Sequence, residues 1–235
     1  MFQLSPVKEA LAPVARIDFG LRGDDPRSGE GRTKRLSSAV RRERLLESAA
    51  AVFACRGLRG TATAVLAARA GVSEPVLYAH FPTKEQLFRE TVQRNVERRL
   101  ETLDRQLAMI SADSLVSCVG SMAERTASVC VTDGANAVLT NWALLEAPEY
   151  ATDLHRRELG CVRSIWMRRM TDRFPDGGQV AIIEMHLLPY AIQACLAYGF
   201  WLAALRHNAL SAAPVTHEFA VGIARLASTL IGSNA

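Results

Sequence analysis

The sequence lacks the cysteine and histidine patterns of disulfide-rich and zinc-binding proteins. Its five cysteines are odd in number, widely scattered and never form a C-x-x-C pair, which argues against a disulfide framework or a thiolate zinc site. The five histidines show no H-E-x-x-H or comparable spacing, so we expect no metal site. These absences favour a protein of the reducing cytoplasm.

The N-terminal region lacks the unbroken apolar stretch of an export signal. Four charged residues and two prolines fall within residues 1–20, where a signal peptide needs continuous hydrophobicity. We therefore expect a cytoplasmic location.

The signatures of common enzyme classes are missing as well. Gly29 and Gly31 follow no predicted strand and lack the rest of a dinucleotide-binding fingerprint. Cys55 lies beside Arg56, which allows either a reactive thiol of lowered pKa or a small buried residue of the first helix, and the second is favoured. No catalytic constellation is visible, so we expect neither an enzyme nor a cofactor.

The charge is distributed unevenly along a chain that is otherwise typical of globular proteins. The chain has 235 residues, and 49% of them are hydrophobic, which is enough for a sizeable buried core. Residues 1–110 hold 19 Lys or Arg against 13 Asp or Glu, whereas residues 111–235 hold 9 against 11. A basic half joined to a nearly neutral one indicates a module that binds a polyanion, either nucleic acid or a membrane surface.

The apolar periodicity is helical from about residue 38 onward, and no segment resembles a strand, so the predicted fold class is all-α. Hydroxyl N-caps and glycine stops delimit short helices near the start. The predicted caps are Thr61, Ser73 and Thr83, the last in a capping box with Gln86, and the predicted stops are Gly57 and Gly71. Longer helices are predicted over 84–110, 113–131, 134–146, 151–173, 178–207 and 215–231.

The third short helix has an outward side that is almost uncharged. Leu77 and Phe81 share the side that faces the first two helices, whereas Val76 and Ala79 lie on the opposite side. A solvated surface helix would carry charges there, so this side is expected to meet another surface. Two short helices joined at Gly71 and braced by a preceding helix predict a helix-turn-helix, whose second helix fits the DNA major groove.

The residue types around this helix suit DNA. Val76 and Ala79 can pack on thymine methyl groups, which the major groove displays. Other groups near the helix can reach phosphates, because hydroxyls and exposed N–H groups at helix N-termini and point charges bind anions. The candidates for phosphate contact are Thr61, Ser73, Tyr78, His80 and Lys84.

The segment TATAVLAARAGVSEPVLYAHFPTKEQLF, with residues 41–57 before it, closely resembles the N-terminal DNA-binding domain of TetR-type transcriptional regulators. The resemblance rests on the Thr cap, the LA..AGVS turn, LY.HF, and the Pro, cap, Lys and Glu that follow. It implies that Thr61, Tyr78, His80 and Lys84 hold phosphates and that Ser73, Glu74 and Val76 lie nearest the bases. Thr63 and Glu74 depart from the pattern, which usually has an apolar residue at the first position and a basic or small one at the second.

The segment 1–38 has no sustained apolar period and is predicted to be a flexible basic tail. Its Arg32, Lys34 and Arg35 lead into Arg41 and Arg42. These cations either keep the chain soluble or contact phosphates and the minor groove. We expect a helix-turn-helix domain over 39–88 and a helical effector-binding and dimerisation domain over 89–235.

Residues 187–205 form a 19-residue stretch without a charge, which is long enough for a membrane span. A proline, a glutamine and a glycine weaken that interpretation, and a soluble helix that is apolar all round is normally buried on every side. We therefore expect the helices near 178–207 and 215–231 to pack against those of a second copy in a homodimer, without a membrane. A dimer would read a palindromic operator.

The middle helices carry bulky residues on apolar stripes, which belong either to the core or to a ligand site. The TetR resemblance implies a small-molecule effector among these helices, and the residue types suit a largely apolar one. The candidate contacts are Met122, Asn141, Trp142, Trp166, Met170, His186 and Tyr190. The resulting hypothesis is a ligand-released repressor; the alternatives are a helical sensor or carrier without sequence-specific DNA binding, and a membrane-associated helical protein.

Overall fold

A computed structural model describes residues 38–132, 134–175, 177–205 and 212–233. Across these residues the chain forms α-helices and no strand, which confirms the all-α prediction. The helices are α1 (Ser38–Arg56), α2 (Thr63–Arg69), α3 (Glu74–His80), α4 (Lys84–Ala108), α5 (Leu115–Thr132), α6 (Gly134–Glu146), α7 (Pro148–Arg173), α8 (Gly178–His186), α9 (Leu188–Leu205) and α10 (Ala212–Ser233).

The chain divides into two compact units, the first ending at Arg94 and the second beginning at Asn95. The predicted tail, residues 1–38, lies outside the described residues except for Ser38, where α1 begins. The expected domain boundary at residue 88 stays a prediction.

The first unit has an aromatic core to which α1, α3 and α4 contribute. The rings of Phe53 and Phe88 meet edge to face with centroids 5.0 Å apart. Leu77 and Phe81 are buried, at 3% and 1% exposure, as the spacing along α3 predicts. Burial of this inward side holds α3 on the unit and leaves its other side outward.

Helix ends in the first unit follow the predicted local signals in most places. Gly57 and Gly71 both have φ of +68°, the left-handed conformation in which glycine ends a helix. The Thr83 hydroxyl accepts from the Gln86 N–H at 3.0 Å, which confirms that cap, whereas the Gln86 amide donates to Glu90 and not back to Thr83. Ser73 occupies the N-cap position of α3 but makes no side-chain capping bond.

The prediction that Thr61 caps α2 is wrong. The N-cap is Ala62, and the helix begins at Thr63. Thr61 lies one residue too early, and its hydroxyl donates instead to the Gly57 carbonyl at 2.6 Å. It thereby satisfies a carbonyl left open at the end of α1.

The core of the second unit lies where α5 packs against α9 and α10. Gly199 allows α9 to approach α5 closely, since a Cβ there would lie 2.6 Å from the Cys130 Cβ and 2.7 Å from the Ala127 carbonyl oxygen. Trp166 is fully buried, and its indole N–H donates to the Thr126 hydroxyl at 3.1 Å. The core is therefore closely packed and its buried indole is satisfied.

The predicted single helix over 178–207 is two helices, α8 and α9, with axes that differ by 55°. The break at Leu187 has a local cause: Pro189 has no N–H to bond the carbonyl four residues earlier, and its ring clashes with that carbonyl. Within the described residues no single helix is long and apolar enough to cross a membrane, although this bent pair meets the criteria of length and composition.

Candidate nucleic-acid interface and effector cavity

The outward side of α3 presents small apolar groups and one phenol. Ala79 is exposed, Val76 is half-buried and Tyr78 is 43% exposed. None of these side chains is enclosed in the core, so they remain accessible on the unit that carries them. An accessible, nearly neutral helix side of this width suits the edges of base pairs better than it suits solvent.

Glu74 and Thr63, the two departures from the TetR pattern, are hydrogen-bond partners. The Thr63 hydroxyl donates to Glu74 Oε2 at 2.7 Å in a half-buried contact. The bond joins the first residue of α2 to the first residue of α3. It fixes the carboxylate at the start of α3, where a negative charge also interacts favourably with the helix dipole.

The Thr61 hydroxyl is not accessible to a phosphate in this structure, because the residue is only 2% exposed and the hydroxyl donates to the Gly57 carbonyl. Its carbonyl accepts from Lys84 Nζ at 2.9 Å. The half-buried Lys84 therefore keeps its ammonium beside the turn before α2, with two further N–H donors available for phosphate.

Arg42 makes two contacts within the first unit. Its guanidinium pairs with Glu90 and lies over the Phe81 ring, 4.7 Å from the centroid. Contact with DNA would compete with both interactions. Of the remaining predicted DNA contacts, Ser73 is exposed and Arg41 and His80 are half-buried.

The second unit contains a cavity of about 690 Å³ at the end of α4, bounded by α5 and the last turns of α7. This volume lies within the range of small-molecule sites. The cavity is lined by Leu107, Ala108, Ile110, Ala112, Asp113, Cys118, Met122, Arg169, Asp172, Arg173 and Phe174.

Only Met122 of the seven predicted ligand contacts lines this cavity. Trp166 and Met170 are fully buried in the core, His186 is exposed and Tyr190 is 74% exposed. Asn141 and Trp142 are half-buried on α6, away from the cavity lining. A stripe of bulky residues marks the helix side that packs inward, and this pattern does not distinguish core from cavity wall.

The cavity residues that the sequence analysis missed include two arginines and two aspartates. Arg169 and Arg173 are one turn apart on α7 and both line the cavity. Their i, i+4 spacing among apolar α7 residues is the signal that could have drawn attention to them. Which neighbours they meet depends on contacts distant in sequence.

Asp104 links α4 to α7 beside this cavity. Its Oδ1 accepts from Arg168 at 2.8 Å and from Arg169 at 2.7 Å. Burial acts to raise the pKa of Asp104, but the hydrogen bonds and charges of Arg169 and Arg168 outweigh it and lower that pKa. One carboxylate thus serves two guanidinium groups.

Burial raises the pKa of two cysteines that bear on the sequence analysis or the cavity. Burial raises the pKa of Cys55 despite the opposing charge of Arg56, so the thiol of lowered pKa considered for this position is not formed. Burial likewise raises the pKa of Cys118, which lines the cavity. Within the described ranges, no group of three or more His, Cys, Asp or Glu is arranged to hold a metal ion.

Comparison with known proteins agrees with this geometry. Residues 45–91 match the family described as "Bacterial regulatory proteins, tetR family". These residues are thus similar to the N-terminal domain of that family. The matched region extends from α1 into α4 and includes the whole helix-turn-helix.

Curated relatives with this domain are transcription factors. The HTH-type transcriptional activator FasR of Mycolicibacterium smegmatis is 43% identical over 72 residues, which cover 31% of this chain and 33% of FasR. The HTH-type transcriptional repressor KstR2 of the same organism is 44% identical over 54 residues, covering 23% of this chain and 26% of KstR2. The chain thus matches about a third of the first relative and a quarter of the second, and these regulators agree with the expectation that it is not an enzyme.

Solved structures extend the similarity of fold beyond the N-terminal domain. Salmonella enterica GusR superposes with a TM-score of 0.59 at 21% identity and covers 85% of this chain and 100% of GusR. The TetR-family regulator PfmR of Thermus thermophilus gives 0.55 at 21% identity, covering 77% and 97%. Because these superpositions cover 77% or more of the chain, the similarity of fold extends into the second unit.

Proposed function

We propose that the chain is a DNA-binding transcriptional regulator that binds a palindromic operator as a dimer in the cytoplasm. The observation that carries this proposal is the accessible, nearly uncharged side of α3, with Val76 and Ala79 outward and Leu77 buried. The matched family and the curated relatives support it, since the family is one of bacterial regulatory proteins and the relatives are named HTH-type regulators. The proposed domain limits remain 39–88 for DNA binding and 89–235 for effector binding and dimerisation.

The proposed interface has a base-reading part and a phosphate-binding part. Val76 and Ala79 pack on thymine methyl groups, and Ser73 and Glu74 lie beside them at the start of α3. Tyr78, His80, Lys84 and Arg41 contact phosphates. Thr61 is left out because its hydroxyl is buried.

Release of a repressor by a ligand requires that the ligand bind the form without DNA more tightly than the form on DNA. We propose that a small, largely apolar effector occupies the 690 Å³ cavity and releases the operator. Because Leu107 and Ala108 of α4 line this cavity and α4 begins at Lys84, we propose α4 as the element that the effector moves.

Dimerisation is proposed through α8, α9 and α10. Large apolar side chains lie exposed on these helices: Met185 at 71%, Tyr190 at 74% and Leu226 at 55%. Exposed apolar groups of this size are typical of surfaces that bind a partner. Light scattering during gel filtration tests this: the intact chain should elute as a dimer, and Tyr190→Glu should shift it toward monomer.

Selection from random DNA with the purified chain tests operator binding. A palindromic consensus with half-sites about one helical turn or more apart would support the proposal. Enrichment without a consensus, together with a steep salt dependence, would instead favour the sensor or carrier without sequence-specific binding. Sedimentation with lipid vesicles would favour the membrane-associated alternative.

Two substitutions in α3 separate the proposed roles. Tyr78→Ala should weaken binding to all DNA sequences by similar factors, because a phosphate contact carries no base preference. Val76→Ala should chiefly reduce the preference for thymine over uracil at one position. Leu144→Ala, which removes a 46% exposed side chain from α6, is the control and should change neither. Equal effects of Val76→Ala on thymine and uracil sites would contradict the methyl contact.

A further inference from the structure

Arg169 carries a buried hydrogen-bond donor that has no partner. Its Nη2 donates to Asp104, at 2.7 Å to Oδ1 and 3.3 Å to the carbonyl oxygen. Its Nε is the one buried side-chain nitrogen or oxygen without a hydrogen-bond partner in the described part of the chain. Since buried polar groups are nearly always bonded, an isolated exception calls for an explanation such as a missing ligand.

The position of Arg169 supplies that explanation, because the residue lines the cavity at the end of α4. Its side chain is 29% exposed, so part of the guanidinium can be reached from outside the core, although Nε itself is closed to solvent in this conformation. An unpaired donor and a cavity are independent features, and here they coincide on one side chain. An acceptor group inside the cavity would satisfy both.

The charges around the cavity favour an anionic acceptor. Arg173, the second cation in the lining, donates its Nε to the Ala112 carbonyl at 2.7 Å, which leaves its positive charge without a carboxylate partner in that bond. Asp104 is shared between Arg168 and Arg169 and neutralises one of the two. Asp113, Asp172 and Arg173 are exposed, so water screens their charges, whereas Arg169 is the half-buried charge of the lining.

The rest of the cavity wall is apolar. Leu107 and Met122 are buried, and Ile110 and Phe174 are half-buried against the core of the second unit. A wall of this kind binds a hydrophobic body and gains from its transfer out of water. The cavity thus combines an apolar wall with a cationic end.

We propose that this cavity binds a monocarboxylate with an apolar body, whose carboxylate accepts from the Arg169 guanidinium, with Nε turned toward the cavity on binding, and lies beside the Arg173 guanidinium. The apolar body packs on the wall formed by Leu107, Ile110, Met122 and Phe174. The binding step stands on the cavity alone, and only its role as the effector signal rests on the proposed regulatory function.

Calorimetric titration of the full chain tests the ligand class with matched probe pairs. The probes are decanoate against decan-1-ol, and 2-naphthoate against 2-naphthalenemethanol. At least one carboxylate should bind about tenfold or more tightly than its alcohol, because charge-assisted hydrogen bonds are stronger than neutral ones. Alcohols that bind as tightly as their carboxylates, or no binding by any probe, would overturn the proposal.

Arg169→Lys tests the residue. Lysine keeps the positive charge near Asp104 but lacks the Nε–H donor, so carboxylate affinity should fall about tenfold to a hundredfold while alcohol affinity stays unchanged. Arg168→Lys is the matched control, since Arg168 pairs with the same Asp104 but does not line the cavity. An equal loss in both variants, or an unchanged affinity in Arg169→Lys, would refute the assignment.

The two levels of the proposal fail separately. The chain could distinguish carboxylates from alcohols through Arg169 and yet select no DNA consensus. That result would support this binding site and refute the proposed regulatory function. A DNA consensus without preference for carboxylates over alcohols would support the regulatory function and refute this binding site. Release of the selected DNA by the bound carboxylate would support both.

Discussion

The buried ion pair between Arg99 and Glu158 should dominate the electrostatic stability of the second unit. Arg99 Nε and Nη2 both donate to Glu158 Oε1, at 2.8 and 2.7 Å. The two side chains are only 3% and 1% exposed, and His155 Nδ1 lies 3.8 Å from the other carboxylate oxygen. The pair joins α4 to α7 in a region where water cannot replace either partner.

Removal of one partner should cost far more than removal of both. Arg99→Leu leaves a buried carboxylate without its guanidinium, and such a change costs about 3–5 kcal/mol. The double variant Arg99→Leu, Glu158→Leu leaves neither charge, and replacement of a buried pair by apolar residues is often neutral or stabilising. The coupling between the two positions should therefore be at least about 3 kcal/mol, the loss expected from one single variant alone.

Urea denaturation of the single and double variants, at one fixed protein concentration, measures this coupling. The concentration is fixed because a proposed dimer links stability to association. A loss below about 1 kcal/mol in Arg99→Leu, or a double variant as unstable as the sum of the singles, would refute the reasoning. Either result would mean that water reaches Glu158.

The same pair predicts a pH dependence. Burial acts to raise the pKa of Glu158, but the charge and hydrogen bonds of Arg99 and His155 outweigh it and hold that pKa below its ordinary value of 4.5. A depressed folded-state pKa stabilises the fold above the unfolded value, and the contribution disappears as the pH falls through the folded value. Below pH 4.5 the intact chain should lose stability that the double variant does not lose; parallel curves would contradict this.

Two glycine substitutions give further expectations, both measured by thermal unfolding with Gly160→Ala as control, since Gly160 is helical and open to space. Gly71→Ala should cost about 1–2 kcal/mol of stability from backbone strain alone, because φ is +68° and no atom lies within 4 Å of the added Cβ. A cost equal to that of the control would show that the turn adapts. Gly199→Ala should cost about 1–3 kcal/mol of stability through overpacking, because the added Cβ would lie 2.6 Å from the Cβ of Cys130. An unchanged midpoint of thermal unfolding would mean that α9 shifts freely.

Local chemistry explains which helix boundaries were predictable. Gly57, Gly71 and Thr83 act on their own turns through backbone conformation or a hydrogen bond three residues away, so the sequence contains the whole cause. Pro189 acts in the same local way, and the break at Leu187 was therefore visible in principle. The prediction of a single helix over 178–207 gave too much weight to continuous apolarity and too little to the missing N–H of Pro189.

The cavity was not predictable in this way, because its wall comes from distant parts of the chain. Met122 and Trp166 have the same character in the sequence, yet one lines the cavity and the other donates to Thr126 inside the core. Which of two buried residues meets empty space depends on how three helices diverge, and no local pattern records that. Arg169 was missed for the same reason, since its partner Asp104 is 65 positions away.

The partnership of Thr63 and Glu74 shows how two residues that look irregular separately can form one unit. An apolar residue at 63 would leave the Glu74 carboxylate half-buried without its donor, and a small residue at 74 would leave the Thr63 hydroxyl unpaired. Each residue thus removes the cost of the other. Under the proposed function, the fixed carboxylate would repel phosphates and accept from a cytosine amino group, so operators of relatives without this pair are a poor guide to the DNA that this chain selects.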